Sequence, residues 1–364
     1  MDVQHLDLLR ELADRGTVTA VAEALHRSPS AVSQQLRTMQ RQLGVELVRR
    51  SGRGVLLTEA GQALARASVA VATAVAEAEA ALEEHRGGRV GVVRVALFPS
   101  AAELLLPGLL RRMRAHEGIE LEIVDHDVSE DEFAPSTADF DVVVGHRSDG
   151  GEPVDRPGVT VVPLLREPLE VALPLDHRLA GRDRVSVAEV VAEPWIGVPA
   201  GYPIDRVLVA MALQSGVVPR VVHRSVHLPV VEALVAGGLG IALVPRHTSA
   251  GRAPGRFHLA TLDSVRAGRH VEALLRPERA ARRVVQTVVA EIRAEARATE
   301  DAAGGGSSGA GRAATGTGPG PDPGGAGTAA GGGPGGAGTA AGGGSGATGT
   351  AADGGSGGAG PRSA

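Results

Sequence analysis

The chain has 364 residues, a formal net charge of −5, 43% hydrophobic residues and no cysteine. Two or three domains fit this length. The lack of cysteine excludes disulfides, thiolate nucleophiles and cysteine-ligated metal centres. Because the whole chain is not basic, affinity for nucleic acid has to come from a local patch. With no signal-type N-terminus and no apolar run of about 18 residues, we expect a cytoplasmic protein without membrane contact.

The N-terminal residues predict two helices that are followed closely by a third. Apolar residues recur at helical spacing up to Gly16, which suits the C-cap of the first helix. Thr19 is expected to cap a second, short helix over residues 20–25, and only two residues separate that helix from Ser28. Two short helices joined by so tight a turn are typical of a helix-turn-helix motif.

The next helix is predicted to have one apolar face and one basic, polar face. Ser28 suits the N-cap and Pro29 the first helical position. At about 100° per residue, the expected buried stripe is Val32, Leu36, Met39 and Leu43. The opposite face carries Ser30, Ser33, Gln34, Arg37 and Arg41. Such side chains reach base edges and phosphates in the major groove, although an ordinary solvated helix face has the same composition.

An arginine-rich hairpin is expected after this helix. Gly52 and Gly54 permit a turn between two short strands within residues 47–58, a pattern typical of a wing. Between His26 and Arg53 the chain has six arginines and a single acid, which gives this segment a formal charge of +5. This excess of positive charge lies where the phosphates of a bound nucleic acid would be. The wing arginines are Arg49, Arg50 and Arg53.

The helices and the hairpin described above lie, in this order and spacing, within the run ADRGTVTAVAEALHRSPSAVSQQLRTMQRQLGVELVRRSGRGVLLTEAG. This run resembles the winged helix-turn-helix domain of the LysR-type transcriptional regulators, and the resemblance covers residues 3–61. It implies that the second helix of the motif is the recognition helix and that the wing also contacts DNA. The complete set expected to contact DNA is Thr19, Ser28, Pro29, Ser30, Ser33, Gln34, Arg37, Arg41, Arg49, Arg50 and Arg53.

Three positions depart from the pattern of the family. The family more often has Gln-Pro in place of Pro29 and Ser30, glutamate in place of Gln40, and phenylalanine in place of Val48. The first departure bears on which bases are read. The last should cost only some packing.

A long alanine-rich helix is expected from Thr58 to about residue 86. Its apolar and small residues alternate steps of four and three, the spacing of a coiled coil, and such a seam needs a partner. We therefore predict a linker helix that also dimerises, with packing against its own chain as the alternative. The resemblance implies a homodimer or homotetramer on a two-fold-related DNA site. The seam residues are Leu64, Ser68, Val71, Val75, Ala78 and Leu82.

Beyond Gly87 and Gly88, strands alternate with helices, which predicts an α/β region with a covered parallel sheet. Ser186 and Glu189 should form a capping box. There are too many strands for one small sheet, and the resemblance implies a periplasmic-binding-protein-like effector domain of two subdomains. The expected limits are 1–60 for the DNA-binding domain, 61–88 for the linker helix and 89–298 for the effector domain, with subdomains 90–164 plus 266–297 and 165–265.

The last part of the chain, residues 299–364, is predicted to be a disordered tail rich in Gly, Ala, Thr and Pro. No Leu, Val, Ile or aromatic residue follows Ile292, and GGAGTAAGGG at Gly324–Gly333 recurs at Gly335–Gly344. Such a segment buries too little apolar surface to offset the entropy lost on ordering.

A ligand is expected in the cleft between the subdomains, beyond the carboxyl ends of the strands. Ser100 should cap the helix that follows it and bind an anion together with neighbouring N–H groups. Arg147, Arg224 and His227 would add positive charge, which favours a small carboxylate-bearing metabolite. The candidate effector-binding residues are Ser100, Ala101, His146, Arg147, Pro199, Ala200, Ser225 and His227.

The acids and twelve histidines show no catalytic or metal-binding spacing such as HExxH or GxSxG. We therefore expect no enzyme, no catalytic residue, no metal and no cofactor. The predicted function is sequence-specific, effector-responsive regulation of transcription at a promoter dyad of double-stranded DNA, with RNA polymerase as a further candidate partner. The alternative is a cytoplasmic small-molecule-binding protein or an enzyme on the same bilobed fold.

Overall fold

The computed structural model describes residues 3–52, 54–85, 90–153 and 158–305. Arg53 and residues 306–364, most of the predicted tail, lie outside this part. The N-terminal unit is a helix-turn-helix with a two-stranded wing, followed by one long helix. Its elements are α1 (Val3–Arg15), α2 (Val18–Ala24), α3 (Pro29–Leu43), β1 (Val48–Ser51), β2 (Gly54–Leu57) and α4 (Glu59–His85).

The core of this unit confirms most of the buried stripe predicted for α3. Val32, Leu36 and Met39 are buried against α1, α2 and the start of the wing. Leu43 is 40% exposed, so its predicted burial is wrong. The last turn of α3 lies beyond the core, and the helix ends at Gly44, whose φ of 67° favours glycine.

The N-cap of α2 also differs from the prediction. Thr17, not Thr19, precedes the helix, and its hydroxyl oxygen accepts a hydrogen bond from the Ala20 N–H at 3.2 Å. Both threonines are N-cap residue types, and only the backbone decides between them. Thr19 lies in the first turn with its side chain exposed.

Helix α4 packs on its own chain along one face and leaves another face open. Ala65, Ala76 and Ala80 are buried, whereas Val75 and Leu82 are 43% and 49% exposed. The second half of the predicted seam is therefore exposed in the single chain. The 27 residues of the helix span about 40 Å.

The α/β region begins after residue 90 and consists of two halves that share long strands. The first half contains β3 (Gly91–Leu97), α5 (Pro99–Met113), β4 (Ile119–Asp125), a 3-10 turn (Glu130–Glu132), α6 (Phe133–Ser136), β5 (Val142–Ser148) and part of β6 (Thr160–Pro174). The second half adds β7 (Arg184–Ser186), α7 (Val187–Val190), β8 (Pro194–Gly197), α8 (Pro203–Ser215), β9 (Arg220–Arg224), α9 (Leu228–Ala236), β10 (Ile241–Pro245), α10 (Arg246–Ser249) and β11 (Phe257–Asp263).

The chain then returns through β12 (Gly268–Leu275) and closes with α11 (Pro277–Ala281) and α12 (Arg283–Gly305). Strand order is β4-β3-β5-β12-β6-β10-β8-β9, with β11 between β6 and β7. The predicted capping box of Ser186 and Glu189 is present at α7. Helix α12 includes residues 299–305, which the sequence assigned to the tail.

Strand β6 runs through both halves as one strand of 15 residues. Its first part pairs with β12, and its last part pairs with β10 and β11. The three charged residues that interrupt its apolar pattern are paired: Glu167 bonds to Arg269 of β12, Arg166 to Asp149, and Glu170 to Arg246. Because all three charges have partners, the strand continues through them.

Each half has its own aliphatic core. The first core lies between the sheet, α5 and α12, and the second surrounds Trp195 of β8. The Trp195 side chain is fully buried, and its indole N–H donates to the Val190 carbonyl at 3.1 Å. None of the helices among the described residues is long and apolar enough to cross a membrane.

The position of α4 against the wing depends on Gly61. A Cβ atom there would lie 2.1 Å from the Leu47 carbonyl oxygen, so we expect Gly61→Ala to lower the free energy of unfolding by about 1 to 3 kcal/mol. Chemical denaturation measures this. Gly251→Ala is the matched control, because nothing lies within 4 Å of a Cβ at Gly251. Equal stability of the two variants would contradict the assigned packing.

Candidate DNA-binding surface and ligand cleft

The polar face of α3 begins at a capped N-terminus. Ser28 is the N-cap, its hydroxyl oxygen accepts from the Ala31 N–H at 3.2 Å, and Pro29 occupies the first turn. Ser33 is half-buried. The predicted residues with exposed side chains on and before this helix are Ser28, Pro29, Ser30, Gln34, Arg37 and Arg41.

The arginines of this surface are available for a partner. The Arg41 guanidinium donates to the Thr38 hydroxyl at 3.2 Å. Within the described residues, Arg37, Arg49 and Arg50 have no hydrogen-bond or ion-pair partner, and all three are exposed. Arg49 and Arg50 lie on β1, which pairs antiparallel with β2. The predicted contact from Arg53 lies outside the described residues.

Gln40 holds the wing to α3, a role that the sequence did not reveal. Its side-chain oxygen accepts from the Leu47 N–H at 2.8 Å and from the Val48 N–H at 3.1 Å. These amides begin the wing, so their orientation is set by a side chain of α3. The departure from the family's glutamate at this position was the available signal, and a neutral amide oxygen accepts the same two bonds.

Thr58 fixes the other end of the wing. Its hydroxyl donates to the Glu46 carbonyl at 2.7 Å and accepts from the Gly61 N–H at 3.1 Å. The Thr58 N–H also donates to the Leu47 carbonyl at 2.9 Å. The wing is thereby tied to α3 on one side and to α4 on the other.

A cleft lies where three helices of the effector region begin. Helices α5, α8 and α9 start beside it, after β3, β8 and β9, and each has a proline in its first turn. The cavity has a volume of about 170 Å³. Its lining residues include Phe98, Pro99, Ser100, Asp127, His146, Ile196, Val198, Tyr202, Pro203, Ser225, Val226, His227, Leu228, Pro229 and Arg269.

Four of the eight predicted effector-binding residues line this cavity: Ser100, His146, Ser225 and His227. The other four do not line it: Ala101, Arg147, Pro199 and Ala200. Ala101 is buried in the first core. Arg147 donates to the Glu272 carboxylate at 2.9 Å, so its charge is already paired.

The predicted capping role of Ser100 is wrong. Phe98 precedes α5 as the N-cap without a side-chain hydrogen bond, which places Ser100 inside the first turn. The Ser100 hydroxyl instead accepts from the Arg269 guanidinium at 2.8 Å. The helix begins at Pro99, one residue before the predicted cap, because proline suits the first turn.

Arg269 is the main residue of the cleft that the sequence did not indicate. Its guanidinium donates twice to one Glu167 carboxylate oxygen, at 3.0 and 2.6 Å, and lies 4.8 Å from the centre of the Phe98 ring. The other Glu167 oxygen accepts from the Thr248 hydroxyl at 3.1 Å. This network joins α5, both crossing strands and α10 at the base of the cleft.

His146, one of two histidines that line the cavity, is in an environment that disfavours its charged form. Burial, followed by the charge of Arg269, holds the pKa of His146 well below its usual range. The His146 ring packs in an edge-to-face arrangement with the rings of Phe98 and Phe133. The distances between ring centres are 4.6 and 4.8 Å. In the described part of the chain, His146 Nδ1 is a buried atom without a hydrogen-bond partner. The cleft therefore contains an apolar, uncharged wall.

The carboxyl group of Asp127 lies at the same cavity. Burial raises its pKa, although the charges of His227 and Arg269 act in the opposite direction.

Tyr202, the only tyrosine of the chain, is the N-cap of α8. Because aromatic residues are rare in this chain, an aromatic residue directly before a helix-starting proline could have identified Tyr202 as a cleft residue from the sequence. Asp127 lies in a loop, and no sequence pattern indicated its place at the cleft.

Two family models match the chain. The model described as "Bacterial regulatory helix-turn-helix protein, lysR family" matches residues 3–62, and the "LysR substrate binding domain" model matches residues 86–297. Among curated proteins, the chain is similar to the Hca operon transcriptional activator HcaR of Escherichia coli, with 29% identity over 252 residues, 67% of this chain and 82% of the relative. It is also 29% identical to the HTH-type transcriptional regulator ShiR of Corynebacterium glutamicum over 254 residues, 66% of this chain and 84% of that protein.

Solved structures show the same fold. A full-length variant of OxyR from Pseudomonas aeruginosa aligns with a TM-score of 0.56 at 19% identity, covering 80% of this chain and 95% of the other. ArgP from Mycobacterium tuberculosis aligns with a TM-score of 0.56 at 21% identity, covering 81% and 97%. At these identities the likeness concerns the fold alone.

The role of Gln40 can be tested by truncation. We expect Gln40→Ala to lower the free energy of unfolding by about 1 to 2 kcal/mol, because two amide groups lose their acceptor. Thermal or chemical denaturation measures this. Gln42→Ala is the matched control, since Gln42 lies exposed on the same helix. If both variants unfold alike, Gln40 does not hold the wing.

Proposed function

Because this chain belongs to the LysR family of bacterial transcriptional regulators, with a helix-turn-helix domain and an effector-binding domain, we propose that α3 and the wing read its promoter DNA. Helix α3 lies in the major groove, and Arg49 and Arg50 bind phosphates from the wing. The observation that carries this proposal is the exposed polar face of α3 beside arginines that have no partner in the described chain. Arg37 and Gln34 are the side chains assigned to base edges, and Arg53 extends the wing contact.

The DNA site is a dyad read by a homodimer, or by a homotetramer built from such dimers. Val75 and Leu82 of α4 are apolar and exposed in the single chain, and they recur at the spacing of a coiled coil. Pairing two α4 helices through this face covers them and presents two recognition helices to one face of the duplex. The first domain, 1–60, and the linker, 61–88, thus form one DNA-binding unit.

The ligand is a small carboxylate bound in the cleft of the effector domain, 89–298. An apolar cavity of about 150 Å³ holds benzene, so the cavity of about 170 Å³ has room for a ligand of similar size. Helices α5, α8 and α9 point their positive ends at it, and the side chains of Ser100, Ser225 and His227 line the cavity as polar groups. Phe98 and Tyr202 support an apolar or aromatic body on the same molecule.

Regulation follows from linkage between the two sites. The ligand prefers one closure state of the two subdomains, and that state changes the spacing of the paired DNA-binding units and the bend they impose on DNA. The cleft binds its ligand without converting it. The protein acts in the cytoplasm, where promoter DNA and RNA polymerase are its partners.

The base contact assigned to Arg37 is tested by Arg37→Ala. We expect a loss of about 1 to 3 kcal/mol in binding to the specific site, which is about 5- to 150-fold in Kd. Fluorescence anisotropy on specific and random duplexes measures both affinities. Arg114→Ala, an exposed arginine of the effector domain, should change neither. Equal weakening on both duplexes would identify Arg37 as a phosphate contact instead.

The ligand site is tested by filling it. Val226 lines the cavity, so Val226→Trp should abolish the rise in Tm that small carboxylates produce in the wild-type protein. A panel of aliphatic and aromatic carboxylates, screened by thermal shift, supplies the probes. Val230→Trp is the control, because Val230 is exposed on α9 outside the cavity lining. Retained ligand response in Val226→Trp would place the site elsewhere.

A further inference from the structure

The DNA-binding domain is bonded to the effector domain of its own chain through α1. Arg276, the residue after β12, donates to the Glu11 carboxylate and to the Asp14 carboxylate, both at 2.6 Å. Its side chain is only 5% exposed. Two carboxylates of one helix therefore receive a buried, forked guanidinium from a position more than 260 residues away in the sequence.

Further ion pairs flank this contact on both sides. Arg10 lies 2.7 Å from the Glu278 carboxylate. Arg15 donates to Asp139 at 2.7 Å and to Glu11 at 2.6 Å. We call the resulting group the α1 junction: it consists of Arg10, Glu11, Asp14 and Arg15 of α1 and of Asp139, Arg276 and Glu278 of the effector domain.

The α1 junction fixes one relative orientation of the two domains. A guanidinium that bonds two carboxylates does so in a planar fork, which restricts both distance and angle. Burial would raise the pKa of Glu11, but the charges and hydrogen bonds of Arg276 and Arg15 lower it. Separating the domains would leave buried charges without partners, so sliding within this contact is costly.

The α1 junction leaves the DNA-binding surface free. Its residues on the DNA-binding side all belong to α1, whereas the polar face of α3 and the arginines of β1 are exposed. The contact therefore buries none of that surface. It determines only where that surface points relative to the effector domain.

The same strand reaches both the α1 junction and the ligand cleft. Arg269 of β12 lies in the cleft, and Arg276 follows the other end of β12, about 23 Å away at about 3.3 Å per residue. Strand β12 is paired along both edges, with β5 and with β6. It is thus a stiff connection between the ligand-binding network and the domain contact.

We propose that the α1 junction sets the half-site spacing that the dimer accepts on DNA, by holding each DNA-binding domain at a fixed angle on its effector domain. Without the α1 junction, the packing of α4 against α11 remains between the two domains, and the two recognition helices adopt a wider range of separations. Binding to one half-site stays unchanged, while discrimination between dyads of different spacing is lost. This inference rests on the proposed reading of a promoter dyad.

The test compares binding to half-sites with binding to dyads. A duplex selected in vitro from a random pool with the full-length wild-type protein supplies the dyad, and its spacer is then shortened or lengthened by one to five base pairs. We expect the wild-type Kd to change at least about tenfold across this series, and the change in Arg276→Ala to fall below about threefold. The Kd for an isolated half-site should agree between the two proteins within about twofold.

Two further variants keep the comparison decisive. Arg182→Ala removes an exposed arginine that pairs with Glu189 in the second half of the effector region and should keep the wild-type spacing preference. If thermal melting shows that Arg276→Ala does not fold, the double variant Asp139→Asn with Glu278→Gln weakens the α1 junction at its edges and should show the same loss in part.

Three outcomes overturn the proposal. One is a folded junction variant that keeps the wild-type spacing preference, and another is a wild-type protein that accepts all spacings equally. A third is an equal loss on half-site and dyad, which would mean that Arg276 acts on the recognition surface itself. If the wild-type protein binds no selected duplex better than random DNA, the proposed function is refuted, and this inference is refuted with it.

Discussion

The buried ion pair between Arg269 and Glu167 is the interaction on which the effector region depends. It joins the two strands that pass between the halves, and its remaining hydrogen bonds reach Ser100 on one side and Thr248 on the other. Removing both charges from water is costly, so the pair is favourable only in a geometry that satisfies them fully. That requirement ties the floor of the cleft, the register of the crossing strands and the position of α5 to one another.

The arginines of this chain, which has no lysine among its 37 basic residues, occur in two contrasting environments. In the effector domain, guanidinium forks are buried or half-buried against carboxylates and fix geometry, as at Arg269 and Arg276. On the proposed DNA-binding surface, Arg37, Arg49 and Arg50 are exposed and have no partner within the described residues. The planar guanidinium fork matches paired carboxylate oxygens as well as phosphates and base edges, so one side chain is suited to both the observed and the proposed contacts.

Local patterns in the sequence predicted the elements well, and pairings across the chain were not predictable from them. The stripe of Val32, Leu36 and Met39 follows from helical period alone, and the capping box of α7 from a spacing of three residues. The roles of Arg269 and Arg276 depend on partners 102 and 265 positions away, and no local pattern contains that information. The same limit explains why half of the predicted cleft residues miss the cavity: strand ends were identified, but the direction of each side chain was not.

The lone tryptophan gives this protein an unusual optical property. Trp195 is sealed inside the second core of the effector region, donates to Val190 and does not line the cavity. Its fluorescence emission therefore reports the folding of that one subdomain. It does not report directly on the helix-turn-helix or on the first core. Circular dichroism senses all of them together, so the two signals, followed in one denaturation, separate cooperative loss of the whole chain from stepwise loss of its parts.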